Sequence, residues 1–281
     1  MQLTDFLGDK KISQACQHLR EQGIREAKIA IILGSFLNKT PFYLPLSNKK
    51  EIDAEKIPSF PVPSVPGHQK KIIFGNIMNQ SVLIFAGRCH YYEGYSMQKL
   101  VYPVVMAKKL GAKAIIITNS AGGLNRFLNI DNLMVIEDHI NFMFDNPLFG
   151  FRYDKKRDYF LDMNSAYNKA LLKKALACGK KAGIGLKRGT YVGIKGPLLE
   201  TRAEAEMFKA FGGDAIGMST IPETIIANFL KIKVLGISHI RNMVYDNKGK
   251  HNVFNHFDGV NKEELIGKKL AKLIEKILEK E

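Results

Sequence analysis

Cysteine is scarce in this chain. The 281 residues contain three, Cys16, Cys89 and Cys178, an odd count with no CxxC pair. That pattern argues against a disulfide framework and against a zinc site. Cys89 stands between Arg88 and His90, a setting that can lower a thiol's pKa and make it a nucleophile. On an extended backbone, however, its side chain points away from both neighbours, so buried packing is the expectation. Long apolar runs are also missing. No segment approaches the roughly 18–20 residues that a spanning helix requires. The opening MQLTDFLGDKK lacks the basic start and apolar stretch of a secretory signal. A cytoplasmic protein with no membrane partner is therefore expected. Neither an internal repeat nor a linker rich in Pro, Gly or Ser divides the chain, so residues 1–281 are expected to form a single domain.

Acidic side chains are in deficit, 27 against 42 basic ones, for a net charge of +15. Such an excess raises the question of a nucleic-acid surface. Yet the lysines are spread along the chain, with small clusters only near Lys155–Arg157 and Lys268–Lys280. A solvated basic surface that attracts anionic substrates accounts for this, and nucleic acid is not an expected partner. The hydrophobic content of 46% supports a sizeable core.

The informative part is the stretch from Gly87 to Asn125. An Arg-x-His pair beside two tyrosines and a glutamate leads into Ser96–Leu110, whose apolar stripe has helical spacing. Gly111 ends that helix. Ala114–Thr118 is short and β-branched, as a strand buried on both faces would be. The polar turn Asn119–Gly123 then falls at the strand's carboxyl end, where open α/β sheets place ligands. Elsewhere residues 11–26 read as an amphipathic helix and Lys28–Gly34 as a central strand. Ile57–His68, with four prolines, reads as extended or looped. Lys70–Phe74 pairs with Ser81–Ala86. Further strands are expected at Leu133–Glu137, Gly189–Ile194, Ala215–Gly217 and Lys233–His239. Helices are expected at Ser165–Lys181, Arg202–Phe211, Pro222–Leu230 and Asn261–Lys280. Asn146–Asp162 and Asn247–Gly259 read as loops. The alternation predicts an α/β single domain with a mixed, largely parallel central sheet flanked by helices.

The segment Gly87–Asn125 resembles the trimeric purine nucleoside phosphorylase family, with its GR-x-H-x-YEG and TN-x-AGGLN blocks. The resemblance continues through DHIN…DNPL (Asp138–Leu148), GP-x-x-ET (Gly196–Thr201), GMST-x-PE (Gly217–Glu223) and ISHIRN (Ile237–Asn242). The blocks come in the family's order and span roughly residues 28–280. The implied reaction is reversible phosphorolysis of purine nucleosides, 6-oxopurines foremost. Phosphate is a co-substrate, no cofactor or metal is needed, and the assembly is a homotrimer.

Carried over by resemblance, Ser35, His68, Arg88, His90, Ser120 and Ser219 surround the phosphate. Tyr92, Ala121, Gly122, Leu199 and Met218 line the nucleoside, while Glu200 and Asn242 hold the purine, with His90 as a further catalytic group. The residue chemistry agrees with those roles. A guanidinium fork suits a phosphate dianion, and an amide can serve N7 and a carbonyl oxygen together. Bland readings stand beside them. Arg88 could be a surface ion pair with Glu93, and Glu200 a helix N-terminal charge. Asn242 could be a turn residue and Met218 core.

Departures from the family pattern are Phe36 and Asn38 where glycines are usual, Leu199 for a phenylalanine, and Arg241 and Met243 beside Asn242. Lys262 stands where a histidine usually meets the ribose 5′-hydroxyl, with His256 as a possible substitute. The aromatic supplied by a neighbouring subunit is one of Tyr153, Tyr159 or Phe160. Two other readings follow from these departures: a phosphorylase for 5′-modified nucleosides such as methylthioinosine or methylthioadenosine, and a catalytically weak nucleoside-binding protein.

Overall fold

The computed structural model describes residue 6 and residues 8–151, 160–245 and 262–279. His256, Tyr153, Tyr159 and the loop expected over Asn247–Gly259 lie outside the described residues.

Nine strands form one mixed sheet among the described residues: β1 (Ile29–Ile32), β2 (Ser47–Asp53), β3 (Lys71–Ile77), β4 (Gln80–Ala86), β5 (Ala114–Gly123), β6 (Leu133–Asn141), β7 (Lys187–Gly193), β8 (Ala215–Gly217) and β9 (Lys233–Met243). Their order is β2-β3-β4-β1-β5-β8-β7-β6-β9, and β9 also pairs with β5. The second half of the sheet therefore closes on itself as a ring. The run Ile29–Ile32 is buried throughout, as expected of a strand flanked by parallel neighbours on both sides, here β4 and β5.

Helices cover both faces. On one, α1 (Lys10–Glu21) and α4 (Tyr102–Lys109) contribute to a cluster with Ile12, Leu19, Val104 and Val105. On the other, α8 (Glu263–Leu278) sets Leu270, Leu273 and Ile274 against Ile31, Ile84 and Val135. No helix of the described residues is long and apolar enough to cross a membrane.

Several boundaries differ from those expected. The helix predicted over Ser96–Leu110 is two pieces, α3 (Met97–Leu100) and α4, broken at Val101. Pro103 sits in the first turn of α4, where its missing N–H costs nothing; inside one continuous helix it would have removed a bond. Asn119–Gly123 is not a turn. It continues β5, paired with β9 as far as Gly123↔Met243. Likewise β6 runs on to Asn141 and β9 to Met243, past the predicted Glu137 and His239. In β5 and β9 the polar residues of these continuations mark a cavity rather than a strand end. The short helix α2 (Thr40–Tyr43) and the exposed strand β2, SNKKEID, had no apolar signal to reveal them.

Leu270 is fully buried on the C-terminal helix. Leu270→Ala should cost about 2–5 kcal/mol. Urea unfolding would register this as a lower midpoint at unchanged slope.

Candidate active site

The outer parts of the parallel pair β5 and β9, the short strand β8 that runs antiparallel to β5, and the loop after β1 converge on one cavity. At Gly34 the chain leaves β1 so close to β5 that a Cβ there would lie 2.6 Å from the Asn119 Cα. Only glycine permits that approach. Its N–H donates to Thr118 Oγ1 at 3.1 Å, and the Thr118 hydroxyl donates onward to Ile32 O at 3.1 Å. Ser120 Oγ donates to Ser35 O at 2.7 Å, so the loop is tied to β5 on both sides of Gly34. The cavity opens to solvent on one side and is lined by both polar and apolar groups, as small-molecule sites are.

Of the residues carried over from the family, Ser35, His90, Tyr92, Ser120, Ala121, Gly122, Leu199, Glu200, Met218, Ser219 and Asn242 line this cavity. Asn242 lies within β9 opposite Gly122, rather than in a turn. Glu200 precedes the N-cap Thr201 of α6 (Arg202–Ala210), and Glu204 closes the capping box, so the helix-end role belongs to Glu204 and Glu200 is left to the cavity. Met218 also lines the cavity rather than the core.

His68 and Arg88 do not line it. His68 stands behind the loop, with Nε2 3.0 Å from Ser35 Oγ. The Arg88 guanidinium is buried against Glu223. β4 ends at Ala86, so Arg88 and His90 stand on the irregular segment that follows. Arg88 does not pair with Glu93. At 3% exposure, its Nη1 lies 3.1 Å from Glu223 Oε1, itself 3% exposed, on α7 (Ile221–Phe229). Nη1 also donates to Thr220 Oγ1 at 3.3 Å, and Nη2 donates to the carbonyl of Thr118. Thr220 holds φ 72°, a left-handed conformation costly for a β-branched residue. Its hydroxyl also accepts from Asn119 Nδ2 at 2.8 Å and lies 3.3 Å from Ser219 Oγ, so three groups over-determine its position.

Glu93 instead organises His90. Its carboxylate accepts from the His90 N–H at 2.7 Å, the Ser64 N–H at 2.6 Å and the Ser64 hydroxyl at 2.7 Å. Its Oε1 also lies 3.1 Å from His90 Nδ1. Burial alone would raise this carboxyl; the hydrogen bonds from His90 and Ser64 outweigh it and hold the value at about 2. With Nδ1 facing an ionised carboxylate, Nε2 is the ring nitrogen left for the cavity. Tyr92 stacks on the His90 ring, 12° from parallel at 4.9 Å. Burial, then the Glu93 charge, raises the Tyr92 hydroxyl to about 12, keeping it neutral.

Cys89 packs with Met97, Leu100 and Met143, and burial raises its thiol to about 12, so it is not a nucleophile. Lys262 is not among the residues lining the cavity, and its Nζ lies 2.8 Å from Asp131 Oδ2. Asp131 also meets His239, which burial lowers to about 4, so at pH 7 the imidazole is neutral and the contact is a hydrogen bond rather than an ion pair. Glu223, within the GMST-x-PE block, is a functional residue that sequence reasoning misses. Proline before it signals a helix start, not a buried charge.

The sheet, its closed ring and this cavity of serines, a histidine, a carboxylate and an amide define a phosphorylase-superfamily chain, whose family signature matches residues 28–279. Purine nucleoside phosphorylase 1 of Bacillus subtilis is 41% identical over 232 residues, covering 83% of this chain and 85% of that protein. The Bos taurus purine nucleoside phosphorylase is 38% identical over 228 residues, 78% and 77% of the two chains. A crystal structure of the Schistosoma enzyme with hypoxanthine superposes with a TM-score of 0.87 at 31% identity, covering 97% of each chain. The chain belongs to the purine nucleoside phosphorylases.

Removing one partner of a buried ion pair leaves an uncompensated charge, at about 3–5 kcal/mol. Glu223→Ala should therefore lower stability by that order, measured by chemical denaturation. The depressed Glu93 carboxyl gives stability that is fully present above its ordinary value of 4.5 and is lost as pH falls toward about 2. Glu93→Gln should flatten the acid limb of a stability–pH curve.

Proposed function

We propose that this cavity holds a 6-oxopurine nucleoside at its Glu200–Asn242 end and phosphate at its Ser35–His90–Ser219 end. The reaction is the reversible phosphorolysis of purine nucleosides to free base and ribose 1-phosphate. The observation that supports the residue roles is that both groups line one cavity, whose walls come from β5, β9, the loop after β1 and the segments that follow β4, β7 and β8.

A phosphate oxygen attacks the anomeric carbon as the glycosidic C–N bond breaks, and the bonding pair passes to the purine. Glu200 accepts from N1–H, and Asn242 serves N7 and the 6-oxygen. Both interactions strengthen as negative charge gathers on the base, so they lower the barrier rather than merely tightening binding. His90, oriented by Glu93, and the hydroxyls of Ser35 and Ser219 hold the phosphate. Arg88 acts from behind, as a buried positive charge paired with Glu223. Tyr92 and Met218 border the ribose.

The whole chain is read as one such domain, assembled as a homotrimer without nucleic acid or membrane. Support for assembly comes from apolar surface: Phe144 and Phe149 are each 75% exposed and Phe160 84%. Phe144 and Phe149 border the same shallow depression, and contiguous exposed apolar surface marks an interaction site. Lys262, which motivated the reading of 5′-modified substrates, is engaged by Asp131.

Hypoxanthine release from inosine should require phosphate at matched ionic strength, and its absence would refute the reading. Glu200→Ala and Asn242→Ala should each lower kcat/KM for inosine by roughly 10²–10³-fold. Asn242→Asp should shift the ratio of adenosine to inosine turnover toward adenosine. Inosine should be preferred over its 5′-methylthio analogue, and light scattering should give the mass of three chains.

A further inference from the structure

We propose that Arg241, stacked on Phe36, supplies the cavity-facing positive charge for the phosphate, so that two departures from the family pattern form one working unit. The inference rests on the phosphorolysis reading above.

The register of β9 provides the first support. Pairing with β5 passes from Ala121↔Ile240 to Gly122↔Asn242, which leaves Arg241 as an extra residue in β9. In an unbroken strand, Arg241 and Asn242 would face opposite sides of the sheet. The bulge re-aims one of them, and both line the cavity.

The second support is the stack. The guanidinium carbon of Arg241 lies 3.3 Å from the centroid of the Phe36 ring. A planar cation at that separation gains from the ring's negative face and is held in one orientation. Phe36 in turn is pinned. It holds φ 63°, its N–H donates to Gly67 O at 3.3 Å, and its ring edge lies 3.4 Å from where a Gly67 Cβ would stand. Gly67 precedes His68, which contacts Ser35 Oγ at 3.0 Å. Phe36 follows Ser35 directly. The stack thus lies over the turn that presents the phosphate-end hydroxyl.

Charge supplies the third. Arg241 is the one Lys or Arg among the described residues lining the cavity. Arg88 is turned inward onto Glu223, which offsets its charge. A bound dianion is stabilised by charge-assisted donors, and a guanidinium fork suits its geometry. Arg241 occupies the wall from which that fork can be offered.

The test uses the full-length protein and inorganic phosphate alone, by calorimetry, alongside steady-state kinetics with inosine. Arg241→Thr should weaken phosphate binding by about tenfold or more and raise the KM for phosphate similarly, with the KM for inosine changed less than about twofold. Arg241→Lys keeps the charge without the planar stack and should fall between. Phe36→Leu removes the ring while leaving the cation and should weaken phosphate binding by a few-fold; these two variants carry the test if Arg241→Thr fails to fold. Phosphate affinity unchanged in all three, or a loss falling on inosine instead, would overturn the role of Arg241 while leaving phosphorolysis standing. Wild-type protein that neither binds phosphate nor cleaves inosine would overturn both.

Discussion

The parallel pairing of β5 with β9 is the constraint on which the site depends. It extends from Ala114↔Lys233 to Gly123↔Met243, far beyond the apolar halves of either strand. Its inner half is buried aliphatic ladder, and its outer half carries Ser120, Ala121, Gly122 and Asn242 into the cavity. Binding groups placed on a continuing ladder are held by backbone hydrogen bonds. They do not rely on the packing of a loop, which is how a site keeps sub-ångström geometry. The loop after β1 is then fastened to the same strand through Gly34, Thr118 and Ser120.

Behind that ladder sits a second organising element, the buried charge pair of Arg88 and Glu223. Two ions removed from water are expensive unless each gains several partners. Here Arg88 reaches Glu223, Thr220 and two carbonyls. The arrangement fixes where α7 begins and holds the strained backbone at Thr220 next to Ser219. The electrostatics of the site are thus layered: one compensated arginine beneath, one ionised glutamate steering His90, and a stacked arginine at the wall.

Much of this was legible in the sequence because the fold is written in apolar runs. Ile29–Ile32, Val82–Ala86 and Ile115–Ile117 read as strands wherever they were placed. What failed were polar continuations. Asn119–Gly123 has the composition of a turn yet extends a strand, since its side chains face a cavity that composition cannot register. Strand β2 carries no apolar face, and only its partner β3 makes it a strand. The roles of Glu200 and Asn242 came from family resemblance, and the geometry explains how Glu200 avoids the helix-cap role: Glu204 takes it. The direction of Arg88 had no sequence signal, because its partner lies 135 residues away in a helix that reads as ordinary.

The ring formed by β5, β8, β7, β6 and β9 has a consequence for how copies of this chain can meet. Closure leaves β2 as the exposed border of the sheet. That strand carries Lys49, Lys50, Glu51 and Asp53, and its pairing with β3 slips between Ser47 and Lys50. A charged, irregular border resists the addition of a foreign strand. Self-association is thereby steered away from backbone templating and toward side-chain surfaces, where shape must match and growth can stop at a closed number of subunits.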